Sequence, residues 1–199
     1  MKSKEFIIED YGTLKEQQAW VNLIKRDCKP YLKDIKRIDN YRLYRGMKHI
    51  QDAFSKRKIR LNDRTPTDTP QIIHDAINNY FNDAFGAPFR NAMFCSGDYG
   101  EIQEYGEGYV IFPIGNYEFV WSPNIEDLYK IWDEYQPEFP DDVDAYKRMA
   151  ADFVEREIVD KYTNRHMTKA IESGNEVMVR CNEYYAVDVF AFNEIEGLF

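Results

Sequence analysis

The chain has 199 residues, of which 44% are hydrophobic, 16% aromatic and 31% charged, a composition that suits one sizeable domain and excludes a disordered tail or a repeat array. Lys and Arg number 26 against 35 Asp and Glu, a net charge of −9, and no apolar run approaches the roughly 18 residues that cross a bilayer, so no membrane partner is expected. The charged start Met1-Lys2-Ser3-Lys4-Glu5 lacks a secretory apolar stretch, and Cys28, Cys95 and Cys181 are odd in number and far apart; together these lead to the expectation of a reducing cytoplasm, with neither a disulfide framework nor a metal site.

Residues 13–38 are predicted helical. Thr13 and Glu16 have capping-box spacing, and Trp20, Val21, Leu23 and Ile24 recur at helical intervals, with Pro30 expected to kink or split the region. Tyr41 to Met47 alternates large and charged residues as a half-buried strand does, and Gly46 ends it. Residues 55–69 are predicted to be a polar loop. Thr69 as cap and Pro70 as first residue then open a helix carrying Ile72, Ile73, Ala76, Ile77 and Tyr80, which ends near Gly86.

The middle of the chain turns to strands. Asn91 to Ser96 is a predicted buried strand, followed by a single helical turn at 99–105. Tyr109 to Ile114 and Tyr117 to Trp121 flank Gly115-Asn116 and are predicted to form a hairpin, with Pro113 marking a free edge or a bulge. A helix over 125–135 and a longer one over 143–172, broken near Thr163 and stopped by Gly174, precede two last strands at 176–181 and 184–189. This order of elements gives an α+β class with a largely antiparallel core, in one domain over 1–199: an N-terminal helical region at 13–38 and an α+β core at 39–199.

The charge is unevenly spread. Residues 25–60 hold 13 Lys and Arg against four Asp, or +9, while residues 61–199 carry −17. A basic segment on an acidic body suits an anionic ligand, although a solvated Lys-rich surface produces the same pattern. The acidic remainder argues against a broad nucleic-acid-binding face. Glycine-rich phosphate loops, nucleophile elbows and zinc motifs do not occur in the sequence, and His49, His74 and His166 lack ligand spacing and read as helix-surface or interface residues. What remains is a polar trio at predicted strand edges: Arg45 in Tyr44-Arg45-Gly46, Ser96 in Cys95-Ser96-Gly97, and Glu176 before Val177-Met178-Val179. Side chains at the ends of separate strands can converge on one cleft.

In this order the trio resembles the Arg-Ser-Glu class of mono-ADP-ribosyltransferases, in which a first-strand Arg, a strand-end Ser and a late-strand Glu build the site. The stretch from Arg60 to Tyr129, with Asp63-Arg64-Thr65-Pro66, Phe112-Pro113-Ile114-Gly115 and Trp121-Ser122-Pro123, also looks like bacteriophage proteins, which implies action in the host cytoplasm. The resemblance implies a split, mainly antiparallel β core with NAD as co-substrate and a host protein or nucleic acid as acceptor. Its implied roles are Glu176 as stabiliser of the ribosyl cation, Ser96 as its hydrogen-bond partner, and Arg45 as holder of the pyrophosphate or ribose. Gly46 would admit the nicotinamide amide, Tyr105 or Phe112 would stack on the ring, and Arg64 and Lys58 would grip phosphates or an acceptor. Arginine-modifying members carry Glu-x-Glu; here Gly174 stands two residues before Glu176, with Glu172 two residues earlier still, so arginine specificity is not implied. Two other functions compatible with the sequence are a non-catalytic binding or inhibitor protein that retains the fold and a virion-associated structural protein.

Overall fold

The structure, a computed structural model, describes residues 12–38, 41–48, 52–61, 66, 69–135 and 142–199. The N-terminal helical region forms as two helices, α1 (Leu14–Asp27) and α2 (Lys29–Ile35). Thr13 caps α1 reciprocally: its hydroxyl accepts from the Glu16 N–H, and the Glu16 carboxylate accepts from the Thr13 N–H at 2.7 Å. Pro30 has no N–H to donate and a φ that suits a first helical turn, so the chain breaks at Cys28 and restarts.

Asp27 ties this region to the sheet. Its carboxylate accepts from Tyr185 Oη at 2.7 Å and from the neighbouring Arg26 Nε at 2.7 Å. Those bonds, that from Arg26 foremost, hold its pKa down from 3.8 to about 2. A lowered carboxyl pKa contributes stability that is complete above the ordinary value and lost as pH falls through the folded one. The destabilisation caused by Asp27→Asn at neutral pH is therefore expected to shrink between pH 4 and pH 2; urea midpoints of both proteins across that window measure it, and a constant difference would contradict it.

Seven strands follow: β1 (Tyr44–Met47), β2 (Phe54–Lys58), β3 (Met93–Ser96), β4 (Glu107–Pro113), β5 (Glu118–Trp121), β6 (Glu176–Arg180) and β7 (Glu183–Asp188). They form one sheet in the order β2-β7-β4-β1-β3-β6-β5, with every pairing antiparallel, so the α+β class with an antiparallel core holds. The sheet is thinnest in the middle, where β1 and β3 share one register pair, Tyr44 with Ser96, whereas β1 and β4 share four.

Between and after the strands lie α3 (Gln71–Phe85), α4 (Tyr99–Ile102), α5 (Leu128–Tyr135), α6 (Val143–Glu157), α7 (Met167–Ser173) and α8 (Val189–Ile195). Two hydrophobic clusters pack on the sheet. One joins Val21, Ile24, Tyr31, Phe112, Ile171 and Phe192; the other joins Ile73, Ile77 and Phe81 of α3 to Trp132, Phe153, Val120 and Met178. β6 serves both, with Val177 and Val179 in the first and Met178 in the second. A strand buried on both faces explains its unbroken apolar run.

Several expectations are corrected. The Gly115-Asn116 turn does not close a hairpin. β4 is flanked by β1 over Glu107–Val110 and by β7 over Tyr109–Pro113, so its edge is free only at the Pro113 end, on the β1 side, as expected for the proline, and β5 pairs with β6 instead. The Gly115 N–H donates to the Asp27 carbonyl at 2.8 Å and so ties the turn to α1. At Pro113 the pairing with β1 has already ended opposite Val110, so the proline meets a partner only on the β7 side. Residues 55–58, predicted as loop, belong to the edge strand β2, whose Lys56 and Lys58 are exposed; edge lysines guard against further pairing. Helix α3 begins one residue late, with Pro70 itself at the cap. The long predicted helix divides as expected near Thr163, into α6 and α7, and Thr163 between them bridges to Trp121. Helix α8, capped by Asp188 at the Phe190 and Ala191 N–H groups, follows the last strand and was not foreseen. Among the described residues no helix is long and apolar enough to cross a membrane.

Candidate active site

Arg45 is the second residue of β1, Ser96 the last of β3 and Glu176 the first of β6. Ser96 lies opposite Glu176 on one side and opposite Tyr44, the neighbour of Arg45, on the other. Directly paired residues in an antiparallel ladder project to the same face, so the pairing brings Ser96 and Glu176 together. Arg45, Gly46, Ser96, Tyr105 and Glu176 all line one cavity of about 400 Å³, within the range of small-molecule sites.

The backbone leading to Glu176 is braced from three directions. The Ser96 hydroxyl donates to the Gly174 carbonyl at 2.5 Å and accepts from the Asp98 N–H at 2.9 Å. Asn175 Nδ2 donates to the Ser122 carbonyl at 2.8 Å, and the Glu176 N–H donates to the Glu126 carbonyl at 2.7 Å. Ser96 therefore positions the chain two residues ahead of Glu176, which corrects the expectation that its hydroxyl meets the carboxylate. On the other wall, Arg45 Nη1 donates to the Phe94 carbonyl at 3.0 Å, while its buried Nε has no hydrogen-bond partner among the described residues.

Cys95 also lines the cavity, but burial pushes its thiol up to about 12, opposed by Arg45 and reinforced by Glu176. A thiol in that range stays protonated at neutral pH and is not a nucleophile. Burial, followed by the charges of Asp127 and Glu176, likewise raises the phenol of Tyr105, which remains neutral at the cavity mouth.

The other predicted site residues divide. Tyr105 is 57% exposed and lines the cavity. Phe112 is 1% exposed and packs against Tyr31, Phe192 and Phe199 in the first hydrophobic cluster, so it cannot meet a ligand in the cleft. Arg64 falls outside the described residues. Lys58 sits on the edge strand opposite Glu183, away from the cavity lining. Glu172 accepts from Tyr41 Oη at 2.9 Å and does not stand in for the missing first carboxylate. Gly46 lines the cavity and is also required by packing: a methyl group there would run into the Ile102 carbonyl and come within 2.8 Å of Tyr105 Cβ. Its bare backbone lets the 99–105 turn close over β1.

The sequence reading missed Arg90, Asp127, Tyr129 and the polar group beneath Arg90. His74 and Asn78 of α3 are buried, which corrects the expectation that His74 is a surface or interface residue. Asn78 Nδ2 lies 3.0 Å from His74 Nε2 and 3.3 Å from Asn91 Oδ1, and Asn78 Oδ1 accepts from the Arg90 N–H at 2.9 Å. The i,i+4 spacing of His74 and Asn78 beside an apolar stripe was the signal available. No group of three or more potential metal ligands occurs among the described residues. None of the protein-family models, curated proteins or solved structures compared with this chain matches it.

Proposed function

We propose that the protein is an NAD-dependent mono-ADP-ribosyltransferase that transfers ADP-ribose to a macromolecular acceptor of a host cell, protein or nucleic acid, or to water. The observation that carries this reading is the convergence of Arg45, Ser96 and Glu176, which lie 51 and 80 residues apart in the sequence, on one cavity. The cavity is lined by guanidinium and carboxylate groups together, which suits a ligand that pairs a cationic ring with an anionic pyrophosphate. The buried Nε of Arg45, without a partner among the described residues, fits an anionic oxygen.

Bound NAD supplies a glycosidic bond whose cleavage develops positive charge on the ribose. A fixed carboxylate at Glu176 stabilises that charge more than it stabilises the ground state. Ser96 and Asn175 hold the segment that aims it, Arg45 holds the phosphate side, and Tyr105 offers a neutral ring at the mouth. With Gly174 in place of a carboxylate and Glu172 bonded to Tyr41, nothing on this segment activates an arginine acceptor, which supports a different acceptor.

The test is incubation of the full chain with NAD labelled in its adenylate half, alone and with bacterial lysate, followed by nuclease or protease digestion of the labelled product. Nicotinamide release with label in a macromolecule supports transfer, and release with free ADP-ribose alone supports hydrolysis. A chain that neither cleaves nor binds NAD would leave the reading without support and favour a non-catalytic binding protein.

A further inference from the structure

We propose that Arg90 forms, with Arg45, a two-guanidinium seat for a pyrophosphate, one guanidinium to each phosphate, and that Arg90 is the residue by which the cleft selects a diphosphate-bearing ligand over a single phosphate. That the diphosphate belongs to NAD rests on the function proposed above; the seat rests on separate observations.

Arg90 is only 9% exposed and lines the same cavity. Its Nε is buried without a hydrogen-bond partner among the described residues, as is that of Arg45, and neither guanidinium lies within 4.0 Å of a carboxylate oxygen among those residues. Arg45 is half-buried with its Nη1 on the Phe94 carbonyl, and the carboxylates Glu101, Glu126, Asp127 and Glu176 line the same cavity. What each of the two side chains leaves open is a buried Nε donor, and a buried donor without an acceptor is costly until a ligand oxygen supplies one.

The two guanidiniums are held against the same residue. Arg45 donates to the Phe94 carbonyl, and the Arg90 guanidinium carbon stands 5.0 Å from the centre of the Phe94 ring. A guanidinium laid on an aromatic face keeps its N–H donors, which lie in its own plane, available at its edges. Arg90 is also fixed from below. Its N–H is bonded to Asn78, and Asn78 contacts both His74 and Asn91, so α3 anchors the turn that carries the side chain. A rigid fork of donors suits paired phosphate oxygens better than a mobile lysine would.

Calorimetric titration of the full chain tests this with inorganic pyrophosphate, orthophosphate, ADP-ribose and nicotinamide riboside. The parent protein is expected to bind pyrophosphate at least about tenfold more tightly than orthophosphate, the step that one additional charge-assisted contact supplies. Arg90→Gln should weaken pyrophosphate and ADP-ribose by about tenfold or more, with nicotinamide riboside unchanged, and Arg90→Lys should recover part of the loss. Equal affinity of the parent for pyrophosphate and orthophosphate would overturn the seat, and this comparison stands even if Arg90→Gln does not fold. So would Arg90→Gln binding ADP-ribose like the parent. If NAD is cleaved by parent and Arg90→Gln alike with the same KM, the seat falls and the transferase reading stands. If pyrophosphate selectivity depends on Arg90 while NAD is never cleaved, the seat stands and the transferase reading falls.

Discussion

Glu176→Gln is expected to lower NAD cleavage by about a hundredfold or more, the scale set by losing one preorganised electrostatic group. The substitution keeps the size and shape of the side chain and removes its charge. The backbone bonds that set the start of β6, from Ser96 to Gly174, from Asn175 to Ser122 and from Glu176 to Glu126, do not involve the carboxylate. The melting temperature and the affinity for ADP-ribose should therefore stay close to the parent values while kcat falls. A different pattern belongs to Arg45→Ala, which removes a group assigned to holding the ligand: its loss should appear mainly in KM. If Glu176 were only a charged residue opening a strand, Glu176→Gln would turn over NAD at the parent rate, and that result would end the assignment. Initial rates, ligand titrations and melting curves on the three proteins separate these outcomes.

The largest expected effect on stability comes from one added methyl group. Gly97 sits in the turn after β3, and a Cβ there would collide with the carbonyl group and Cα of Ile171 in α7. These are backbone atoms, so no rotamer change relieves the overlap, and either the turn or α7 has to move. Overpacking of this kind costs about 3 kcal/mol, which for a chain of this length lowers the melting temperature by roughly 10 °C. Because α7 leads directly to Gly174, the acceptor of the Ser96 hydroxyl, NAD cleavage should fall with it. Gly197→Ala is the matched control: nothing lies within 4 Å of its added carbon, and its melting temperature should stay near the parent value. Gly97→Ala melting with the parent would show that β3 and α7 are not held as tightly as the structure has them.

The identity of most elements was legible because it depends on near neighbours. The Thr13–Glu16 box, the break at Pro30, the stop at Gly86 and the apolar run of β6 each carry their signal within a few residues, and the structure follows them. The positions of Ser96 and Glu176 at strand ends and of Arg45 within the first strand were legible for the same reason, and five of the six helices described within residues 39–199, α3 to α7, were anticipated, α6 and α7 down to the break near Thr163. Helix α8 was not, because Ala186-Val187-Asp188-Val189 continues an apolar alternation past the point where Asp188 caps a helix.

Pairing was decided by the tertiary structure. Two β-rich runs around Gly115-Asn116 satisfy every local requirement of a hairpin, yet β4 meets β1 and β7 from distant parts of the chain and gains more contact by lying between them, while β5 completes the far edge. The same holds at the site. Local sequence marks Ser96 as a turn serine, but only the register between β3 and β6 decides that its hydroxyl reaches Gly174 rather than a carboxylate. Arg90 reads as an ordinary charged residue in Phe89-Arg90-Asn91 until α3 folds against it and buries it beside Phe94. Periodicity reports which face of an element is apolar, whereas the partner that covers that face, and the cavity left between the partners, depend on chain segments tens of residues away.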